Sequence, residues 1–169
     1  MSLQIREPLS TAFPDSPGVY VLQMELPQSL HLRVGRLGVY NFQKGIYLYI
    51  GSAQGPGGLR ARLSRHLVRD KSLHWHIDWL RQVAKVRGVF YTVTYDRLEC
   101  SWSQALIKLP SAYVTVPGFG SSDCWRKPVP CASHLVWFKS DAEGIRDGLP
   151  KDDKIPVVYH QVAGHNLPE

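Results

Sequence analysis

The most constraining feature of the sequence is a passage from strand to helix. Gly45 to Ile50 (GIYLYI) is a β-forming run in which Tyr47 and Tyr49 share one face and Leu48 and Ile50 the other. Gln54-Gly55-Pro56-Gly57-Gly58 then reads as a flexible loop that opens a helix from about Leu59 to Arg69. Around this passage the pattern predicts further strands at Gly18–Leu26, His31–Leu37, Val86–Tyr95 and His134–Phe138. Helices are predicted over His74–Lys85 and Leu98–Leu109, the latter stopped by Pro110. The order implies an α+β domain with a small, mainly antiparallel sheet flanked by α-helices. Its 169 residues suit one core-bearing domain at 16–138, with a 1–15 extension before it. The stretch 139–169 is richer in charge, Gly and Pro, and reads as an appendage in which only Ile155–Tyr159 can pair as a strand.

Charge narrows the class of partner. Between Leu26 and Arg69 there is no Asp or Glu, but Arg33, Arg36, Lys44, Arg60, Arg62, Arg65 and Arg69 all lie there. The other 13 basic and 14 acidic residues nearly cancel, so this one segment carries the excess behind the net charge of +6. Such a surface concentrates polyanions, nucleic acid being the commonest; a solvated basic face with no ligand is the plainer alternative. No apolar run approaches a membrane-spanning helix, and the first residues lack the apolar stretch of a signal peptide. The odd count of three Cys excludes a fully paired disulfide framework, so a reducing, cytoplasmic setting is expected.

Projected at ~100° per residue, Leu59, Leu63 and Leu67 form the buried stripe of the helix after the Gly-rich loop. Arg62 and His66 lie at the edge of that stripe, four apart, and would face the crevice at the strand ends. Arg65 and Arg69 point further toward solvent. An Arg packing its stem on the core beside a satisfied core His would occupy the same positions.

Gly18-Val19-Tyr20, Tyr49-Ile50-Gly51 and Arg62 in the following helix resemble the GIY-YIG nuclease superfamily. Gly45–Ala53, Arg62-Leu63-Ser64-Arg65-His66, His74–Leu80 and Gly118–Cys124 are similar to its Uri-type branch, which includes domains fused to endonuclease-III-like repair enzymes. The resemblance implies a metal-dependent DNA endonuclease on a three-stranded antiparallel sheet, and a DNA-repair setting. It implies that Tyr20 handles the nucleophilic water, Tyr49 lines the same site, Arg62 binds the scissile phosphate and Glu99 ligates one Mg²⁺ or Mn²⁺. His66 falls where relatives place a second helix Tyr or a His. The bound partner would be DNA, with RNA not excluded, held by Arg60, Arg65 and Arg69 on the phosphate backbone. The Met24–Leu37 stretch would be an inserted hairpin.

The residue types suit these roles on physical grounds. A free Tyr is only about one part in a thousand ionised at pH 7, so it serves as a base only if a metal or Arg stabilises its phenolate. The Arg62 guanidinium stays protonated and its fork fits two phosphate oxygens. His66, titrating near neutrality, would be a proton shuttle or a phosphate donor. Glu99 is a hard oxygen ligand of the kind Mg²⁺ takes.

Some choices stay open in the sequence. Gly38-Val39-Tyr40 also spells the first motif, nine positions before Tyr49, although Tyr20 is preferred because Pro17 and a long apolar strand frame it. Glu99 sits at the start of its helix, and another alignment moves the ligand position to Ser103 or Gln104, leaving a binding domain without metal. Cys124, Cys131 and His134 offer three soft ligands on a loop. A structural Zn²⁺ site prefers four, so buried or free thiols are the favoured reading unless His74, His76 or Cys100 completes the set. His74 and Asp78 are expected to share a hydrogen bond, and Trp75 and Trp79 to pack in the core.

Overall fold

The structure is a computed structural model and describes residues 11–141, 144–150 and 156–162. Its backbone is an α+β arrangement built on a five-stranded antiparallel sheet and a separate two-stranded hairpin. In chain order the elements are β1 (Gly18–Leu26), β2 (Leu30–Val34), β3 (Gly38–Phe42), β4 (Gly45–Ala53), α1 (Gly58–Leu67), α2 (His76–Arg81) and β5 (Lys85–Val93). They continue with α3 (Glu99–Ile107), a 3₁₀ turn at Ser122–Arg126, β6 (Leu135–Phe138), α4 (Ile145–Gly148) and β7 (Val158–Gln161). The large sheet runs β6-β4-β1-β5-β7.

β1 sits at the centre because both of its faces are apolar. Val19 and Val21 join Leu48, Ile50 and Val136 in one buried layer, under Trp102 and Leu106 of α3 and Ile145 of α4. Tyr20, Leu22, Met24 and Leu26 join Tyr47 and Tyr49 in the other, under Leu59 and Leu63 of α1 and Ile77 and Leu80 of α2. The β2–β3 hairpin closes the same face with Val34 and Phe42. Burying a sheet on both faces calls for helices on both sides, and the alternation of β1 and β4 supplies it.

Three sequence expectations are corrected. The hairpin forms, but at Leu30–Phe42 rather than Met24–Leu37, because Met24, Glu25 and Leu26 stay in β1 opposite Tyr47, Ile46 and Gly45 of β4. The helix expected over His74–Lys85 is only α2, because Lys85 and Val86 are drawn into the ladder opposite Glu25 and Met24. The sheet has five strands rather than three: β6 and β7 add the outer edges. β7 pairs Gly88↔Gln161 through Tyr91↔Val158, while Ile145 and Leu149 are buried against the α3 side. No helix among the described residues is long and apolar enough to cross a membrane.

Candidate functional site

A cavity of about 500 Å³ opens at one end of β4. Its origin lies in the unequal lengths of neighbouring strands. β6 pairs with β4 only from Ile46 to Tyr49, and the Ile50 N–H donates to the His134 carbonyl at 2.9 Å. Past that point the chain departs, so the edge of Gly51 and Ser52 borders the cavity instead of another strand. Through this gap, residues from the α1 face and the α3 face of the sheet meet.

Tyr20, Tyr49, Arg62 and Glu99 all line the cavity, from β1, β4, α1 and α3 respectively. In the β1–β4 register Tyr20 faces Gly51 and Tyr49 faces Leu22, which puts both rings on one face with centroids 6.4 Å apart. Gly51 is required there: a Cβ would collide with the Tyr20 hydroxyl. Tyr40 belongs to the hairpin, where its hydroxyl reaches the Leu37 carbonyl at 3.4 Å, and it does not line the cavity. Tyr20 is therefore the partner of Tyr49. Tyr47 is buried on the same face and donates to the Gln43 carbonyl at 2.8 Å, away from the cavity.

His66 departs from its expected role. It is 1% exposed, sits behind Tyr20 and lies 2.6 Å from the Tyr20 hydroxyl through Nε2. Burial, reinforced by the Lys71 and Arg62 charges, pushes its pKa down to about 3, so it is a neutral imidazole rather than a near-neutral titrating group. It is not among the cavity-lining residues. Its Nδ1 is buried without a hydrogen-bond partner. A bare lone pair is easier to bury than an N–H, which assigns the proton to Nε2 and makes it a donor to Tyr20 Oη. The Tyr20 O–H is then left to donate into the cavity. Burial also raises both phenols, Tyr20 well above its ordinary value and Tyr49 to about 12 despite the nearby Arg62 cation. Both stay protonated at neutral pH.

Arg62 and Arg65, nearly one helical turn apart, both pack on Trp75, with guanidinium carbons 4.2 and 4.5 Å from the ring centroid. Arg65 is committed: it pairs with Asp78 at 2.9 Å and donates to the Ser72 carbonyl. Arg62 forms no ion pair among the described residues and lines the cavity. Of the other expected DNA contacts, Arg60 donates to the Phe13 carbonyl and approaches Asp15 at 3.6 Å, and the Arg69 carbonyl accepts from Gln82. Lys44 borders a second cavity with Arg87 and Glu25, at the opposite end of β4. The sequence-level block of positive charge is thus divided in space.

Asp78 is fully buried and accepts backbone N–H bonds from His74 and Trp75 as well as the Arg65 and Lys71 cations. The expected His74–Asp78 bond runs through the His74 backbone, not its imidazole. Trp75 is half-buried at the cavity wall rather than enclosed in the core. His76 also lines the cavity, its Nδ1 accepting the Gly120 N–H at 3.0 Å.

Glu99 opens α3, as expected, and its Oε2 is buried without a hydrogen-bond partner. Asp123 is a further cavity-lining carboxylate. Arg97 and Lys127 also line the cavity; their only sequence signals are proximity to Glu99 and to the Cys loop.

Next to Glu99, Cys100 joins Cys124, Cys131 and His134 in a cluster whose ligand atoms all lie within 4.8 Å of one another. The fourth ligand that spacing alone could not choose is Cys100, brought in by α3. The Cys100 Sγ is 3.4 Å from Cys124 Sγ and 3.8 Å from His134 Nε2, and Cys124 Sγ is 3.5 Å from that nitrogen. Lys127 Nζ donates to Cys100 Sγ at 2.9 Å. The cluster is able to hold a metal ion.

The model of the family described as "Domain of unknown function DUF123" matches residues 19–148 of this chain. No curated protein and no solved structure matches it.

Proposed function

The chain belongs to the DUF123 family, and for this member we propose, on the geometry of its cavity, a divalent-metal-dependent endonuclease of the GIY-YIG type that hydrolyses DNA phosphodiester bonds. The observation that carries this reading is the convergence of Tyr20, Tyr49, Arg62 and Glu99, from four separate elements, on one cavity. Arg62 pairs with no carboxylate among the described residues, and its fork suits two non-bridging oxygens of a phosphodiester and the charge that grows on them. The Trp75 ring, 4.2 Å from the guanidinium carbon, supports it from one side. Tyr20, fixed by His66, offers its hydroxyl proton to the same phosphate. Its high pKa, like that of Tyr49, makes it a donor and not the base.

The orphaned Glu99 oxygen fits a hard cation that keeps several waters. When bound, Mg²⁺ or Mn²⁺ would supply an acidified water as nucleophile and a Lewis acid for the phosphate.

For the Cys₃His cluster the reading is a structural Zn²⁺. A tetrahedral ion with Zn–S of about 2.3 Å and Zn–N of about 2.0 Å separates its ligands by roughly 3.6–3.8 Å, close to the observed 3.4, 3.5 and 3.8 Å. The Lys127 ammonium on Cys100 offsets the excess negative charge of three thiolates around a divalent ion. Such a site ties α3, and with it Glu99, to the loop that carries Cys124 and Cys131. Elemental analysis of the purified protein should give one zinc per chain, lost in Cys131→Ser.

The hydrolase reading is tested with supercoiled plasmid and Mg²⁺ or Mn²⁺. Nicking by the unmutated protein that Glu99→Gln removes supports it. No nicking, together with salt-sensitive DNA retention, would instead identify a nucleic-acid-binding module on the same scaffold. That second reading draws on the small number of carboxylates, Glu99 and Asp123, that line the cavity.

A further inference from the structure

We propose that the site takes an unpaired DNA strand rather than duplex, with Trp125 and Tyr95, exposed on the two segments that bring Lys127 and Arg97 to the cavity, as base-stacking platforms. The inference rests on the hydrolase reading for its phosphate site and goes beyond it in naming the substrate class.

Large aromatic side chains are seldom left in water, yet Trp125 is 68% exposed and Tyr95 84% exposed. Each stands two residues from a cation that lines the cavity: Trp125 from Lys127, and Tyr95 from Arg97. The two pairs come from different elements, the Cys-bearing loop and the connection from β5 to α3, which meet where Lys127 Nζ reaches Cys100 Sγ at 2.9 Å, so each segment carries an exposed ring two residues along the chain from a cavity-lining cation. On the first segment the Arg126 guanidinium lies 4.8 Å from the Trp125 ring centroid, placing a third cation at the platform.

The loop is held to carry load. Trp125 follows Cys124 directly, and Lys127-Pro128-Val129-Pro130 leads into Cys131, so both ends of the segment are anchored in the Cys₃His cluster. The two prolines restrict the backbone between them. An exposed ring on a restrained loop can stack without a large ordering loss.

A duplex keeps its base faces stacked on one another and offers a protein mainly phosphates and groove edges. An unpaired strand offers a π-face at every base, and a positively charged groove with flanking aromatics is the arrangement that takes it. With one phosphate on Arg62, the neighbouring bases of a single strand, a flap or a gap are free to turn outward onto the rings.

The test is fluorescence anisotropy on a labelled 12-nucleotide DNA strand and its blunt duplex, at one salt concentration and without added divalent cation. The unmutated protein should bind the single strand more tightly. Trp125→Ala should weaken single-strand binding by about 5- to 100-fold and leave duplex binding within about twofold; Tyr95→Ala should act in the same direction, and Trp125→Phe should restore most of the loss. Matched melting temperatures exclude misfolding, because both side chains are exposed. Equal weakening of both ligands, an unaffected single-strand affinity, or tighter binding of the matching RNA strand would overturn the proposal. The readout does not depend on hydrolysis, so loss of plasmid nicking with retained strand preference would fail the hydrolase reading alone.

Discussion

Arg62 and Arg65 sit on the same helix, against the same Trp75 ring, and have opposite fates. Arg65 meets a buried carboxylate, Asp78, that already holds Lys71 and two backbone N–H groups. Arg62 meets a cavity whose carboxylates, Glu99 and Asp123, form no ion pair with it. One arginine completes an internal network that pins the segment 71–78 to α1. The other remains available to a ligand. Residue type and helical position do not separate the two; the partner supplied by a distant segment does.

The strongest way to break this contrast is to remove Asp78. Asp78→Asn should lower the unfolding free energy by about 3 kcal/mol, since it removes the fully buried carboxylate that Arg65, Lys71 and two backbone N–H groups converge on; urea titration checks it. A mild effect would show that the Arg65 network is not structural.

Next in size is a pH effect at the neighbouring residue of α1. Folded His66 has a pKa near 3 against an ordinary 6.5, so the unfolded chain binds a proton that the folded chain refuses. The stability it contributes is complete above about pH 6.5 and drains away as pH falls toward 3. Between pH 7 and 5 that amounts to about 2 kcal/mol. In His66→Gln the proton uptake on unfolding at pH 5 should drop by about one, as read from the slope of stability against pH.

A smaller effect separates the two arginines directly. Arg65→Ala should cost about 2 kcal/mol through its lost charged hydrogen bonds, whereas Arg62→Ala should cost under about 1 kcal/mol, the cation–π contact alone. Equal melting temperatures for the two variants would erase the distinction.

Much of this was legible before any coordinates. The alternation in Gly45–Ile50 put Tyr47 and Tyr49 on one face, and the Leu59/Leu63 stripe placed Arg62 at the core's edge, where it lines the cavity, whereas His66, expected beside it, is fully buried. Local periodicity decides such positions. It does not decide what arrives from elsewhere in the chain. Cys100 lies 24 residues before Cys124 on another element, so no spacing rule pairs them. Asp78 as a charge hub needs Arg65 and Lys71 to close on it, and His66 as a neutral imidazole follows from burial that the helix alone does not fix. Glu99 reaches the site because β6 stops pairing at Tyr49, a fact about two strand lengths that neither segment contains.

The central claim is that the free arginine faces a scissile phosphate. Its most direct test is the rate of Mg²⁺- or Mn²⁺-dependent plasmid nicking by the unmutated protein and by Arg62→Ala, both shown to be folded by their melting curves. Nicking should fall by about 100-fold or more in the variant, in line with the loss of a transition-state charge contact, at a nearly unchanged melting temperature. Nicking at the unmutated rate by Arg62→Ala, or none by the unmutated protein with either cation, would contradict the account.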